Sequence, residues 1–139
     1  MKVSDIMTLG AATVTPVSSL AEAIRCMGNH NISGLPVVDG DGELHGILSE
    51  GDFFRKSTDS FRLDSLFDAG PEVRRDALDS TRVGDLMSTE LVTVDGDASL
   101  TDAIGLMERH GVKRLPVISN GKLVGLISRA DILRVLLDE

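Results

Sequence analysis

Apolar and polar positions along the chain follow one pattern that is written twice. A short segment, Val3 to Met7 or Val83 to Met87, precedes a small predicted strand at Ala12 to Thr15 or Leu91 to Val94. A helix follows with a marked start. Ser19-Leu20-Ala21-Glu22 has the form of a capping box, and Ser99-Leu100-Thr101-Asp102 has the same form. Leu20, Ala23, Ile24 and Met27 recur at helical spacing, as do Leu100, Ala103, Ile104 and Met107, so each set predicts one core-facing stripe with methionine as filler. Asn31 and Gly111 mark the helix ends, because both residue types accept a left-handed backbone.

Next come two short apolar runs in each copy. Leu35 to Val38 and Leu115 to Ile118 predict buried strands, with proline near the strand start where its missing N–H is tolerated. Asp39-Gly40-Asp41-Gly42 and the shorter Asn120-Gly121 are turn signals. Leu44 to Leu48 and Leu123 to Ile127 complete the hairpins, and a final helix runs on, in the second copy to about Leu137.

The two copies align residue by residue. Val3, Asp5, Met7, Thr13, Val14, Ser19 and Leu20 match Val83, Asp85, Met87, Thr93, Val94, Ser99 and Leu100. Ala23, Ile24, Met27, His30 and Leu35-Pro36-Val37 match Ala103, Ile104, Met107, His110 and Leu115-Pro116-Val117. After a one-residue deletion in the second turn, Leu44, Gly46, Ser49, Asp52 and Arg55 match Leu123, Gly125, Ser128, Asp131 and Arg134. Roughly 19 of about 53 positions are identical, which defines an internal repeat. The expected organisation is a first repeat at 1–57, a partly helical connector at 58–80 and a second repeat at 81–139. The fold class is α+β: two pseudo-symmetric strand-helix-strand-strand-helix repeats packed through their small sheets, because a lone repeat has too little core. The connector holds Phe61 and Phe67, close behind Phe53 and Phe54, and so much apolar bulk argues that part of it packs, on the module or on a second subunit.

Composition narrows the function. The 139 residues carry 14 Lys and Arg against 22 Asp and Glu, a net charge of −8, with no Trp or Tyr. Such a chain lacks both the counterion-displacing surface and the stacking platforms of a nucleic-acid binder. No apolar run is long enough to span a bilayer and the start is unlike a signal peptide, so a cytoplasmic protein is expected, without membrane or nucleic-acid partners. Cys26 stands alone and reads as a structural thiol. His30 and His110 are matched at helix ends without companion ligands and read as structural, and His45, opposite Val124, reads as a packing position.

The candidate chemistry lies at the junction of the last strand and last helix. Gly125-Leu126-Ile127-Ser128-Arg129-Ala130-Asp131 restates Gly46-Ile47-Leu48-Ser49-Glu50-Gly51-Asp52. A helix start offers N–H groups to an anion, a serine there adds a hydroxyl, and an aspartate one turn on can accept two hydrogen bonds from a ribose diol. The same Ser-x-x-Asp is also an ordinary helix cap. Only the second copy adds cations, Arg129 within the junction and Lys113-Arg114 before the Leu-Pro strand, where the first copy has Glu50 and Ser33-Gly34. If the strand ends converge, a polyphosphate should therefore prefer the second copy; the alternative is that Arg129 pairs with a surface acid.

Two registered Gly-x-x-Ser-x-x-Asp junctions, each downstream of a Leu-Pro-Val strand, resemble a tandem pair of cystathionine-beta-synthase (CBS) domains, the Bateman module. The resemblance covers nearly the whole chain except the connector. It implies adenosyl ligands in clefts between the repeats, with Asp52 and Asp131 on the ribose and Ser49 and Ser128 by the phosphate. Gly34-Leu35-Pro36, Arg114-Leu115-Pro116, Thr13 and Thr93 would line the clefts. The expected function is regulatory: sensing AMP, ADP, ATP or S-adenosylmethionine, with magnesium dependence open. The chain would form a homodimer and act on another protein. A ligand-free dimerisation or interaction module is the alternative. An enzyme is not expected, since the sequence holds no activated nucleophile, metal cluster or paired acids, and no catalytic cofactor is implied.

Overall fold

A computed structural model describes residues 1–55 and 61–137. The boundary expected at 57 and the first connector residues, 58–60, lie outside them. In chain order the elements are α1 (Val3–Ile6), α2 (Leu20–His30), β1 (Gly34–Val38), β2 (Leu44–Ser49), α3 (Glu50–Arg55), α4 (Leu63–Asp68) and α5 (Pro71–Ser80). They continue with α6 (Val83–Leu86), β3 (Val94–Asp95), α7 (Leu100–His110), β4 (Arg114–Ser119), β5 (Lys122–Ser128) and α8 (Arg129–Val135). Helices and two small sheets are mixed along the chain, an α+β arrangement as the pattern predicts.

Local chemistry sets most boundaries. Ser19 Oγ and Ser99 Oγ each accept a 3.1 Å bond from the backbone N of the residue three on, Glu22 or Asp102. Asn31 (φ 53°) and Gly111 (φ 63°) close α2 and α7 in the left-handed region, as expected. Pro71 opens α5 at a position where its absent N–H costs no helical bond. The β4–β5 turn is Asn120-Gly121 with φ of 52° and 79°, the hairpin geometry that matches strand twist. The final helix stops at Val135, two residues short of the expected Leu137.

The chain divides into two units. One, here the Asp131 unit, comprises residues 1–11, 41–43 and 91–139; the other, the Asp52 unit, comprises 12–40 and 44–90. The opening segment of the chain thus belongs with the second hairpin, and the segment from Val83 to Ser88 belongs with the first.

In the Asp131 unit, β3 pairs in parallel with β4, and β4 pairs antiparallel with β5. Its core is Val3, Val94, Ala103, Met107, Leu115, Val117 and Ile127. Helix α1 is tied to this unit by Val3 N to Ala98 O and Ser4 N to Gly96 O, both 2.9 Å. Thr8 then pairs with Leu126 in both directions, at 2.7 and 3.0 Å.

The Asp52 unit repeats this plan. β1 and β2 form a two-stranded sheet, and the strand expected at Ala12 to Thr15 is reduced to a single bridge of Val14 to Val37. Its core is larger, because the connector adds Phe61 and Leu66 to Leu20, Ala23, Met27, Leu35, Val37, Leu48 and Phe53. Phe61 is 1% exposed and meets Phe53 edge to face, with centroids 5.8 Å apart. Arg74 fastens α5 to the end of α4 by donating to Leu66 O and Ala69 O. Ser88 pairs with Ile47 at 2.9 and 3.0 Å, the counterpart of Thr8 with Leu126.

Two expectations are corrected. Ile24 and Ile104 are 42% and 39% exposed, because each lies one residue beyond the narrow i, i+3, i+7 stripe that faces the core. His45 is not a packing residue: its ring is exposed, with Nε2 2.8 Å from Asp39 Oδ2 across the hairpin. Phe54 and Phe67 are exposed, Phe67 beneath the Arg74 guanidinium.

Candidate ligand-binding site

In each unit the hairpin register brings the predicted residues to one end. Arg114 lies opposite Ser128, Leu115 opposite Ile127 and Pro116 opposite Leu126; in the other unit Gly34, Leu35 and Pro36 lie opposite Ser49, Leu48 and Ile47. The last strand residue of each hairpin is therefore the serine of the junction, and the aspartate follows one helical turn later.

Ser128 and Asp131 form a complete reciprocal cap. Asp131 N donates to Ser128 Oγ at 3.1 Å, and Ser128 N donates to Asp131 Oδ2 at 2.9 Å. Asp131 is nonetheless only 6% exposed, more enclosed than a cap on a free helix end requires. Its enclosure comes from the opening segment, since Thr8 Oγ1 lies 3.4 and 3.5 Å from the two carboxylate oxygens. Arg134 Nη2 pairs with Oδ1 from the next turn of α8. Arg129 is exposed at the first helical position, and its backbone N donates to Lys113 O at 2.9 Å, so the expected cationic trio is gathered at one hairpin end.

Asp52 is fully buried. Oδ2 accepts from Ser49 N at 2.9 Å and from Ser49 Oγ at 3.3 Å, and Oδ1 accepts from Ser88 Oγ at 2.8 Å. Backbone contact in both units is permitted by glycine. A Cβ on Gly125 would lie 2.7 Å from Met7 Sδ and 2.9 Å from Thr8 O, and one on Gly46 would lie 2.8 Å from Met87 Sδ and 2.7 Å from Ser88 O.

Other predicted residues are less direct. Leu35 and Leu115 are wholly buried in the two cores, so a ligand could meet their backbone only. Thr93 is half-buried just before Val94, which pairs with Val117, and Thr13 is exposed just before Val14. Three residues at the junctions escaped the sequence reading of the site: Thr8, Ser88 and Arg134. A signal existed, because Thr8 and Ser88 are a matched hydroxyl pair and Arg134 matches Arg55.

A paired hairpin-and-helix module of this kind, with a buried aspartate at each strand–helix junction, is the class the geometry defines. A model of the CBS domain matches residues 3–59 and 83–138. The chain belongs to the CBS-domain family, as a tandem pair. It is 35% identical over 130 residues to the CBS domain-containing protein YhcV of Bacillus subtilis, covering 94% of this chain and 81% of that protein. It is 33% identical over 132 residues to Hypoxic response protein 1 of Mycobacterium tuberculosis, covering 95% and 82%. Among solved structures, CBSX2 in complex with AMP has a TM-score of 0.74 at 29% identity, covering 98% of this chain and 96% of that one; CBSX2 is from Arabidopsis thaliana. Hypoxic Response Protein I with two coordinated zinc ions has a TM-score of 0.73 at 30% identity, covering 96% and 98%. In this chain no group of three or more His, Cys, Asp or Glu among the described residues could hold a metal ion. No helix among them is long and apolar enough to cross a membrane.

Proposed function

We propose that this chain is a regulatory module that binds an adenosyl ligand at the Asp131 junction and passes its occupancy on to another protein. The observation that carries the reading is the enclosed Asp131 carboxylate, at a hairpin end that also presents Ser128, Arg114 and Arg129. A carboxylate in that position can accept both hydroxyls of a ribose, while the serine hydroxyl and the guanidinium groups are donors suited to phosphate. AMP in the related CBSX2 structure supports the ligand class. A regulatory role rather than a catalytic one is supported by the CBS match over both repeats, such domains being generally regulatory. Occupancy alters output by favouring whichever conformation binds the ligand better.

The test is thermal denaturation with AMP, ADP, ATP or S-adenosylmethionine. A ligand at about 100 times its Kd adds about 2.7 kcal/mol of stability. One of these compounds should raise the melting temperature, and Asp131→Ala should abolish the rise. No shift with any of them would refute the reading and move the function to protein–protein contact, for which Leu133, Leu136 and Leu137 offer exposed apolar side chains.

A further inference from the structure

The two aspartates are matched in sequence but differ in what holds them. Ser88 Oγ donates to Asp52 Oδ1 at 2.8 Å, the length of a strong hydroxyl–carboxylate bond. At the matched position of the other unit, Thr8 Oγ1 stands 3.4 and 3.5 Å from Asp131, beyond that range. The backbone pairings that deliver the two hydroxyls are the same, Thr8 with Leu126 and Ser88 with Ile47. What differs is the side chain, threonine in place of serine, and the Arg134 guanidinium that pairs with Asp131 Oδ1.

A ribose diol must place two O–H donors on the carboxylate. At Asp131 it has to displace Arg134, whose side chain is 67% exposed and can return to water or turn to a phosphate. At Asp52 it has to displace a half-buried hydroxyl from a carboxylate with no exposed surface, and a polar group stripped of its partner there is costly. Charge acts in the same direction. Lys113, Arg114, Arg129 and Arg134 are gathered at the Asp131 junction, whereas Ser33, Gly34 and Glu50 hold the first three of those places at Asp52.

We infer that Ser88 is a latch: its hydroxyl occupies the ribose-binding edge of Asp52 and closes that junction, so the chain takes one adenosyl ligand, at Asp131. The inference rests on the nucleotide reading above and adds which of two matched sites is open and which residue decides it.

Equilibrium dialysis of the full chain against AMP counts the ligand bound, with circular dichroism establishing that each variant is folded. The expected result is about one AMP per chain for the natural sequence and none for Asp131→Asn. Ser88→Ala should bind about two, and the double variant Ser88→Ala with Asp52→Asn should return to about one. In the reverse direction, Thr8→Ser should install the latch at Asp131 and weaken AMP binding about tenfold, the effect of one hydrogen bond to a charged group. Two AMP per natural chain, one retained by Asp131→Asn, or one only in folded Ser88→Ala would each overturn the latch and leave the nucleotide reading standing. If Ser88→Ala does not fold, an unchanged affinity in Thr8→Ser overturns the latch by itself. The same dialysis is run with ADP, ATP and S-adenosylmethionine, and none of the four compounds bound by any of these chains would overturn both readings.

Discussion

Gly125→Ala isolates the contact on which the Asp131 unit depends. The added methyl would lie 2.7 Å from Met7 Sδ, 3.0 Å from Met7 Cγ and 2.9 Å from Thr8 O. The methionine can swing aside because its thioether is flexible. The Thr8 carbonyl cannot, because it accepts the 3.0 Å bond from Leu126 N while Thr8 N donates 2.7 Å to Leu126 O. Relief therefore requires the opening segment to lift from β5. Overpacking of this kind costs about 1–3 kcal/mol, and weakening two backbone bonds adds about 1 kcal/mol. At about 3 °C per kcal/mol for a chain of this size, the melting temperature should fall by about 6–12 °C. Gly105→Ala is the internal control. Gly105 lies within α7, its Cβ would come no closer than 3.9 Å to Arg109, and removing glycine from a helix interior should stabilise by about 0.5–1 kcal/mol. Scanning calorimetry of the two variants should give shifts of opposite sign. A fall of under about 3 °C in Gly125→Ala would refute the reasoning. Full rescue by Met7→Ala would also refute it, since that would place the whole clash on the side chain.

Two further outcomes are expected. Phe61→Ala should cost about 3–5 kcal/mol, because Phe61 is 1% exposed in the Asp52 core; chemical denaturation should show it, and a loss below about 1 kcal/mol would mean that the connector does not pack there. Arg129→Glu should weaken ATP binding at least tenfold while Glu50→Ala leaves it within about twofold, as read by titration calorimetry; equal losses would mean that neither junction discriminates phosphate by charge.

Much of this protein is local in origin and so could be read from the chain. Ser19 and Ser99 cap helices because a short hydroxyl reaches the third N–H ahead, and Asn31, Gly111 and Asn120-Gly121 turn the chain because they accept positive φ. Each depends on residues within a few positions of one another. The duplicated Gly-x-x-Ser-x-x-Asp, for the same reason, marked both junctions. Ile24 and Ile104 are exposed against expectation because periodicity gives the centre of a helical stripe but not its width, which the elements packed against the helix decide.

Tertiary structure alone decided which opening segment lies against which hairpin. Val3, Asp5 and Met7 are repeated as Val83, Asp85 and Met87, and both segments dock by the same backbone hydrogen bonds and by a valine buried at the same place, which distinguishes neither. Two such similar segments and two such similar hairpins cannot be paired from the sequence. The fold places Thr8 against Asp131, 123 residues away, and Ser88 against Asp52. The difference between a 2.8 Å bond and a 3.4 Å approach arises only there, where a serine and a threonine on equivalent backbones meet two carboxylates at matched positions.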